Sequence, residues 1–229
     1  MNNLFNKNKD SITLNKFKGN FVFPDYYNDR WKLINVSKII CFCIVDVETN
    51  GLNSQTHTII ELAIKKIAVN IENGDLLQVL EEYESFNDPG IELDKNITQI
   101  TGITDDQLIG QSIDWIKVDE IFSTTDIILA HNARFDRSFI DKFSNQSPLK
   151  IWSCSINQID WLKHGFVSKS QEMLAIYHGF FYETHRAMSD VNALINLLSL
   201  KNEQYNYFFE ILNNYKQPYC IVKAANSNI

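Results

Sequence analysis

The stretch IICFCIVDVETNGL, residues 39–52, constrains this chain more than any other. Its first part is short, apolar and rich in β-branched residues, and it is bounded by the turn signal Thr49-Asn50-Gly51, so a buried strand is expected over Ile39–Val47. Asp46 and Glu48 interrupt that strand at its end. Being two apart, they leave it on the same face. An isolated ionised pair there would repel and would lose its hydration. A divalent cation offsets both costs, and an oxygen-only ligand set suits Mg²⁺ or Mn²⁺. Taken alone, Asp-x-Glu also reads as two solvated acids where a strand emerges into a loop.

The pattern around this strand is that of a mixed α/β fold. Ile59–Asn70 and Leu76–Phe86 read as two further strands, joined through Asn73-Gly74, a hairpin signal in which both turn positions call for positive φ. Helical signals then take over. Thr104-Asp105-Asp106-Gln107 has capping-box spacing and Gly110 supplies a stop. Ile113, Ile116 and Ile121 recur near helical spacing, and Phe135, Phe139 and Phe143 line one helix face after the short strand Asp126–Ala130. A strand near Leu149–Trp152 and helices near Ser155–Lys163 and Ser170–His178 follow. The last strong helix carries Ala187, Val191, Leu194, Ile195 and Leu198 on its core face. Strands first and interleaved helices later predict a mixed sheet with helices on its faces.

Composition sets outer limits. At 229 residues and 45% hydrophobic, the chain supports one substantial core with appendages. No apolar run reaches membrane-spanning length, and the Asn/Lys-rich N-terminus lacks the apolar segment of a secretory signal, so cytoplasm is the expected compartment, with no membrane partner. A net charge of −7 argues against a broad basic surface gripping phosphates, yet leaves nucleic acid open as a substrate, because acids gathered around metal ions contribute to that deficit. Cys41, Cys43, Cys154 and Cys220 are scattered, and Cys-x-Cys without a later pair is not metal-site spacing, so structural cysteines are expected. Three units are expected: an N-terminal extension over 1–37, a central domain over 38–200, and a helix–strand extension over 201–229. Aromatics of the first segment, Phe17, Phe21, Phe23, Tyr26, Tyr27 and Trp31, are placed to dock onto the domain.

Two further segments change the reading of Asp46 and Glu48. AHNARFDRSF places Asp136 in the first turn of a helix, where an acid also serves simply to complement the helix dipole. HRAMSD puts His185 five residues before Asp190, an acid among core-facing neighbours and costly unless paired or metal-bound. His131 is expected to be a hydrogen-bonded structural histidine. His57, His164 and His178 lack ligand spacing, and Trp115, Trp152 and Trp161 read as core.

VDVETNGL, AHNARFDRSF and HRAMSD, in this order, resemble the three motifs of the DEDDh 3′–5′ exonuclease superfamily, which includes polymerase proofreading subunits, the RNase T type and oligoribonucleases. IIELA and ITGIT fit as landmarks between them, and the resemblance spans about residues 38–200. It implies a ribonuclease H-like, five-stranded mixed sheet with helices on both faces. It implies Asp46, Glu48, Asp136 and Asp190 as metal-binding carboxylates and His185 as general base, since Arg186 stands where the tyrosine branch has tyrosine. Two ions, Mg²⁺ or Mn²⁺, are implied as cofactors. Thr49, Gly51 and Leu52 are implied to meet the terminal nucleotide, with Leu52 either wedged against the base or packed under the turn. Thr101 stands where many relatives have histidine, which leaves the catalytic set intact. The expected activity is metal-dependent release of nucleoside 5′-monophosphates from single-stranded 3′ ends, with DNA favoured over RNA. An exoribonuclease that trims small RNAs, or an idle module binding a polymerase or another protein partner, are the alternatives.

Overall fold

Alternation along one strand builds two cores. The computed structural model describes residues 13–21, 38–201 and 205–215. Its elements in chain order are β1 (Asn15–Lys16), β2 (Ile39–Thr49), β3 (Ile59–Asn70), β4 (Leu76–Phe86), α1 (Lys95–Thr101), α2 (Asp105–Leu108), α3 (Trp115–Ser123), β5 (Ile127–Ala130), α4 (Ala133–Ile140), β6 (Ile151–Cys154), α5 (Ser155–Gln158), α6 (Gln171–Tyr177), β7 (Phe180–Phe181), α7 (Ala187–Ser199) and α8 (Tyr207–Tyr215). The main sheet is five-stranded in the order β4-β3-β2-β5-β6. The first three strands pair antiparallel; β5 and β6 run parallel to β2. Phe42 and Ile44 of β2 point into one core with α6, α7 and α8. Cys43, Val45 and Val47 point the other way, against α3 and α4. The sheet is therefore covered on both faces, the ribonuclease H-like arrangement that the motifs imply.

β2 sits in the middle of that sheet, and its carboxyl end lies beside the carboxyl end of β5. The mouth beyond such strand ends is where open α/β sheets bind their ligands. All twelve residues of β3 are buried, polar ones included, so each charge on it needs a local partner. Lys65 finds Glu82 at 2.9 Å, and Lys66 donates to Thr124 Oγ1.

Several local expectations shift. The β3–β4 hairpin forms, but Gly74 alone takes positive φ (76°), whereas Asn73 does not. Asn73 instead uses its side-chain oxygen to accept from the Asp75 N–H at 2.9 Å. In α3, Ile116 is exposed and Val118, Ile121 and Phe122 form the core face. Phe143 lies beyond the end of α4 and stacks on Trp115 at 5.1 Å. The helix does not continue past that point, because Asp119 accepts the backbone N–H groups of Asn145 and Gln146, donors that a longer helix would have needed, and also the Ser144 hydroxyl. The strand expected near Leu149–Trp152 falls at Ile151–Cys154, behind a short 3₁₀ turn over Ser147–Leu149. α5 ends at Gln158 instead of reaching Lys163, because the Asp160 N–H donates to Glu210 of α8 at 3.0 Å. Trp161 is fully buried, while Trp115 and Trp152 are only partly covered. Cys43 is buried and Cys41 half-buried.

Segments flanking the central unit also pack. β1 pairs in parallel with β7, a small second sheet without a sequence signal. Phe17 and Phe21 rest on the first core, whereas Phe23, Tyr26, Tyr27, Trp31 and Cys220 lie outside the described residues. Beyond residue 201 the helix is present as α8, with Phe208, Ile211 and Leu212 buried, and the expected strand lies outside the described residues.

Candidate active site

β2 carries Asp46 and Glu48 on the face that looks toward α7, where Asp190 sits in the first helical turn. Carboxylate oxygens of these three residues lie within 4.8 Å of one another, the one such cluster of three or more candidate ligands among the described residues. Asp136 reaches the same place from the opposite layer. It lies in the first turn of α4 and is buried, and its carboxylate accepts backbone N–H groups of Val47 and of its own residue. Two helix N-termini thus aim acids at one strand end, a placement that the helix dipoles favour.

The electrostatics follow from this crowding. Burial, then Asp136, Asp190 and Glu48, push the Asp46 carboxyl well above its ordinary range. Glu48 is pushed up to about 8, first by burial and then by Asp190, Glu61 and Asp136. Burial raises Asp136 to about 7 against its two backbone hydrogen bonds. Asp190 is also raised, mainly by burial. Four desolvated carboxyls in mutual repulsion fit a divalent cation by donor type: hard oxygens only, closely spaced and short of positive charge.

Asp190 is the most elaborately held of the four. Tyr182 donates its hydroxyl to Asp190 Oδ1 at 2.9 Å, and the buried Gln171 side chain donates to the Asp190 carbonyl at 2.9 Å and to the Tyr182 hydroxyl at 3.0 Å. Backbone N–H groups of His185 and Arg186 also bond its carboxylate. His185 is exposed beside it and has φ of 61°, the only non-glycine residue with positive φ among the described residues.

Thr49, Gly51 and Leu52 form the turn beyond the strand. The Thr49 hydroxyl is turned inward, donating to the Gly51 carbonyl at 2.8 Å, and Thr49 is buried. A Cβ on Gly51 would lie 2.3 Å from Cδ2 of His57, whose ring covers the turn. Leu52 is 86% exposed, which removes the reading of ordinary packing under the turn. Lys142 braces the loop by donating to the Ser54 and His57 carbonyls. His131 is structural: its Nε2–H donates to the Lys169 carbonyl at 2.7 Å, Nδ1 accepts from Ser155, and burial lowers it to about 4, so it stays neutral. Thr101 is likewise internal, bonded to Ile97 and Ile103.

Sequence reasoning missed Tyr182, Gln171, Glu61 and Arg186. Glu61 carried a signal, an acid inside the apolar run Ile59–Ala63, but its partner lies 125 residues away.

A mixed sheet of this order, with four acids gathered at the mouth of its central strand, defines a hydrolase of the ribonuclease H-like class. The family follows from comparison. The RNase T-type exonuclease model matches residues 43–198, and the chain belongs to that family, the DEDD 3′–5′ exonucleases, which bind divalent metals and hydrolyse phosphodiester bonds. The chain is 39% identical over 204 residues to "DNA polymerase III PolC-type" of Listeria monocytogenes, a match covering 84% of this chain and 13% of the relative. It is 32% identical over 184 residues to the Bacillus subtilis protein so named, covering 76% of this chain and 12% of that one. It therefore spans about an eighth of the length of these relatives. Among solved structures, the fold resembles E. coli Exonuclease I in complex with a dA16 oligonucleotide (TM-score 0.59, 18% identity, 75% of this chain and 42% of that one). It also resembles Exonuclease I from Methylocaldum szegediense (TM-score 0.54, 18% identity, 70% and 40%). No helix among the described residues is long and apolar enough to cross a membrane.

Proposed function

We propose that residues 38–200 form a 3′–5′ exonuclease unit acting on single-stranded 3′ ends, DNA in preference to RNA, and releasing nucleoside 5′-monophosphates. The observation that carries this reading is the approach of Asp46, Glu48 and Asp190 within 4.8 Å beside an exposed histidine. Asp46, Glu48, Asp136 and Asp190 would hold two divalent ions, Mg²⁺ or Mn²⁺. When bound, such ions activate a water and stabilise the leaving 3′ oxygen of an in-line displacement. His185 takes the proton of the attacking water, a role that typically contributes about 10²–10⁴-fold. The water oxygen bonds to phosphorus as the bond to the 3′ oxygen breaks, and that oxygen leaves with a solvent proton.

Leu52 lies against the terminal base, and the Thr49–Gly51 turn sets its height. Its 86% exposure supports a contact that only substrate completes. Preference for DNA rests on the relatives' name and on the DNA-bound Exonuclease I, and a polymerase as partner rests on the relatives' name alone. An idle binding module is disfavoured by cost, since four desolvated acids without an ion destabilise the fold that keeps them.

The test uses 5′-labelled single-stranded DNA and RNA of matched sequence with Mg²⁺ or Mn²⁺. A 3′-shortening ladder on DNA, abolished by EDTA and by Asp46→Ala, is expected, and His185→Ala should slow it by about 10²-fold or more with metal binding retained. Absence of metal-dependent shortening of either polymer would sink the reading, and a ladder on RNA alone would reassign the substrate.

A further inference from the structure

Glu61 is the most deeply buried acid near the site, with no exposed surface at all. In the sheet register it lies directly opposite Glu48 on one side and Phe86 on the other, so Phe86, Glu61 and Glu48 form one cross-strand row. Like charges paired across strands destabilise a sheet, and a buried carboxylate needs a partner. Arg186 supplies it. Its guanidinium donates to Glu61 through Nη2 at 3.0 Å and through Nε at 3.3 Å, and its central carbon lies over the Phe86 ring, 5.7 Å from the ring centre. The second Glu61 oxygen accepts the N–H of Ala187, the first residue of α7, at 3.0 Å.

These bonds fall immediately after His185. A left-handed backbone at a non-glycine residue is strained and persists only where its surroundings impose it. Here the surroundings are on both flanks. Asp190 accepts the His185 and Arg186 N–H groups from one side, and Glu61 grips the Arg186 side chain and the Ala187 N–H from the other.

We propose that Glu61 is a positioning residue for the reaction: through Arg186 and the Ala187 N–H it imposes the left-handed turn at His185 and so sets the imidazole beside the metal-binding acids. The proposal rests on His185 being the base. Glu61 ligates nothing itself, because its oxygens are committed to Arg186 and Ala187.

The experiment is a double-mutant cycle read by single-turnover cleavage of 5′-labelled single-stranded DNA, with Mn²⁺ binding measured by calorimetry. Glu61→Gln keeps an acceptor for Ala187 but loses the charged fork, and Arg186→Lys keeps the charge but not the fork. Each should lower the cleavage rate by about 10²-fold, the cost of a base misplaced by about an ångström, with KM and Mn²⁺ affinity within about twofold of wild type. In a His185→Ala background, neither should lower the rate further. A full second loss in that background, or recovery of either variant by saturating Mn²⁺, overturns the proposal, because Glu61 would then act through the ions or the fold. If Glu61→Gln lacks a cooperative thermal transition, Arg186→Lys decides alone by the same criteria. A slow His185→Ala beside wild-type rates for both variants removes the positioning role and leaves the base. A His185→Ala at wild-type rate removes the base, and the positioning role with it.

Discussion

At the scale of single residues, Asp190 depends most on what stands behind it. Its carboxylate is oriented by Tyr182, whose hydroxyl is in turn held by Gln171. Groups that fix a metal-binding side chain in this way typically contribute 10–100-fold to metal affinity or rate. Tyr182→Phe should therefore weaken Mn²⁺ binding or cleavage by about 10–100-fold while costing only about 1 kcal/mol of stability; calorimetric titration and thermal melts separate the two. An unchanged affinity and rate would show that the backbone N–H groups of residues 185 and 186 suffice. Tyr182 gave no sequence signal, because an isolated tyrosine after a glycine-stopped helix reads as ordinary core. Asp46 and Glu48 were legible as a pair because a two-residue spacing on a strand is a purely local fact. What brings Asp136 and Asp190 to them is not local: only the sheet order and the faces of β2 assemble the four.

Among elements, the strands were read closely and the helix ends poorly. β3 and β4 fall at Ile59–Asn70 and Leu76–Phe86, the two runs that flank the Asn73-Gly74 signal. α4 and α5 stop earlier than their patterns suggest, since Asp119 and Glu210 take backbone donors at the points where the chain leaves the helix. Such partners sit 26 and 50 residues away in sequence, beyond any window of periodicity. The hairpin shows the same tertiary influence. Gly74 has φ of 76°, and a Cβ there would come within 2.1 Å of Asn206 Oδ1 and 2.5 Å of the Phe209 nitrogen at the start of α8. Gly74→Ala should thus cost about 2 kcal/mol or more, from the left-handed backbone and the collision together. Urea unfolding measures it; a loss below half that would mean that α8 yields easily and is not a fixed part of the core.

For the whole molecule, the cluster ties stability to pH and to metal in opposite directions. Asp136 and Glu48 have folded pKa values of about 7 and about 8 against unfolded values of 3.8 and 4.5. A raised carboxyl binds its proton more tightly in the native state, so its contribution is complete below the unfolded values and is lost as pH rises through the folded ones. The metal-free protein should accordingly melt at a lower temperature near about pH 8.5 than near about pH 5.5. Added Mn²⁺ should raise the midpoint more at the higher pH, because the ligands must be deprotonated to bind it. Differential scanning calorimetry in EDTA and in Mn²⁺ tests both. A metal-free midpoint that climbs over that interval would mean the acids do not share the crowded site described.

The pairing of β1 with β7 joins two distant stretches of chain. Residues 15 and 16 lie ahead of the matched family unit, yet they pair in register with 180 and 181, the latter one residue before the hydroxyl that orients Asp190. Through that pairing, a displacement of Asn15 and Lys16 would reach the strand that leads to Tyr182 and, through its hydroxyl, to the candidate site.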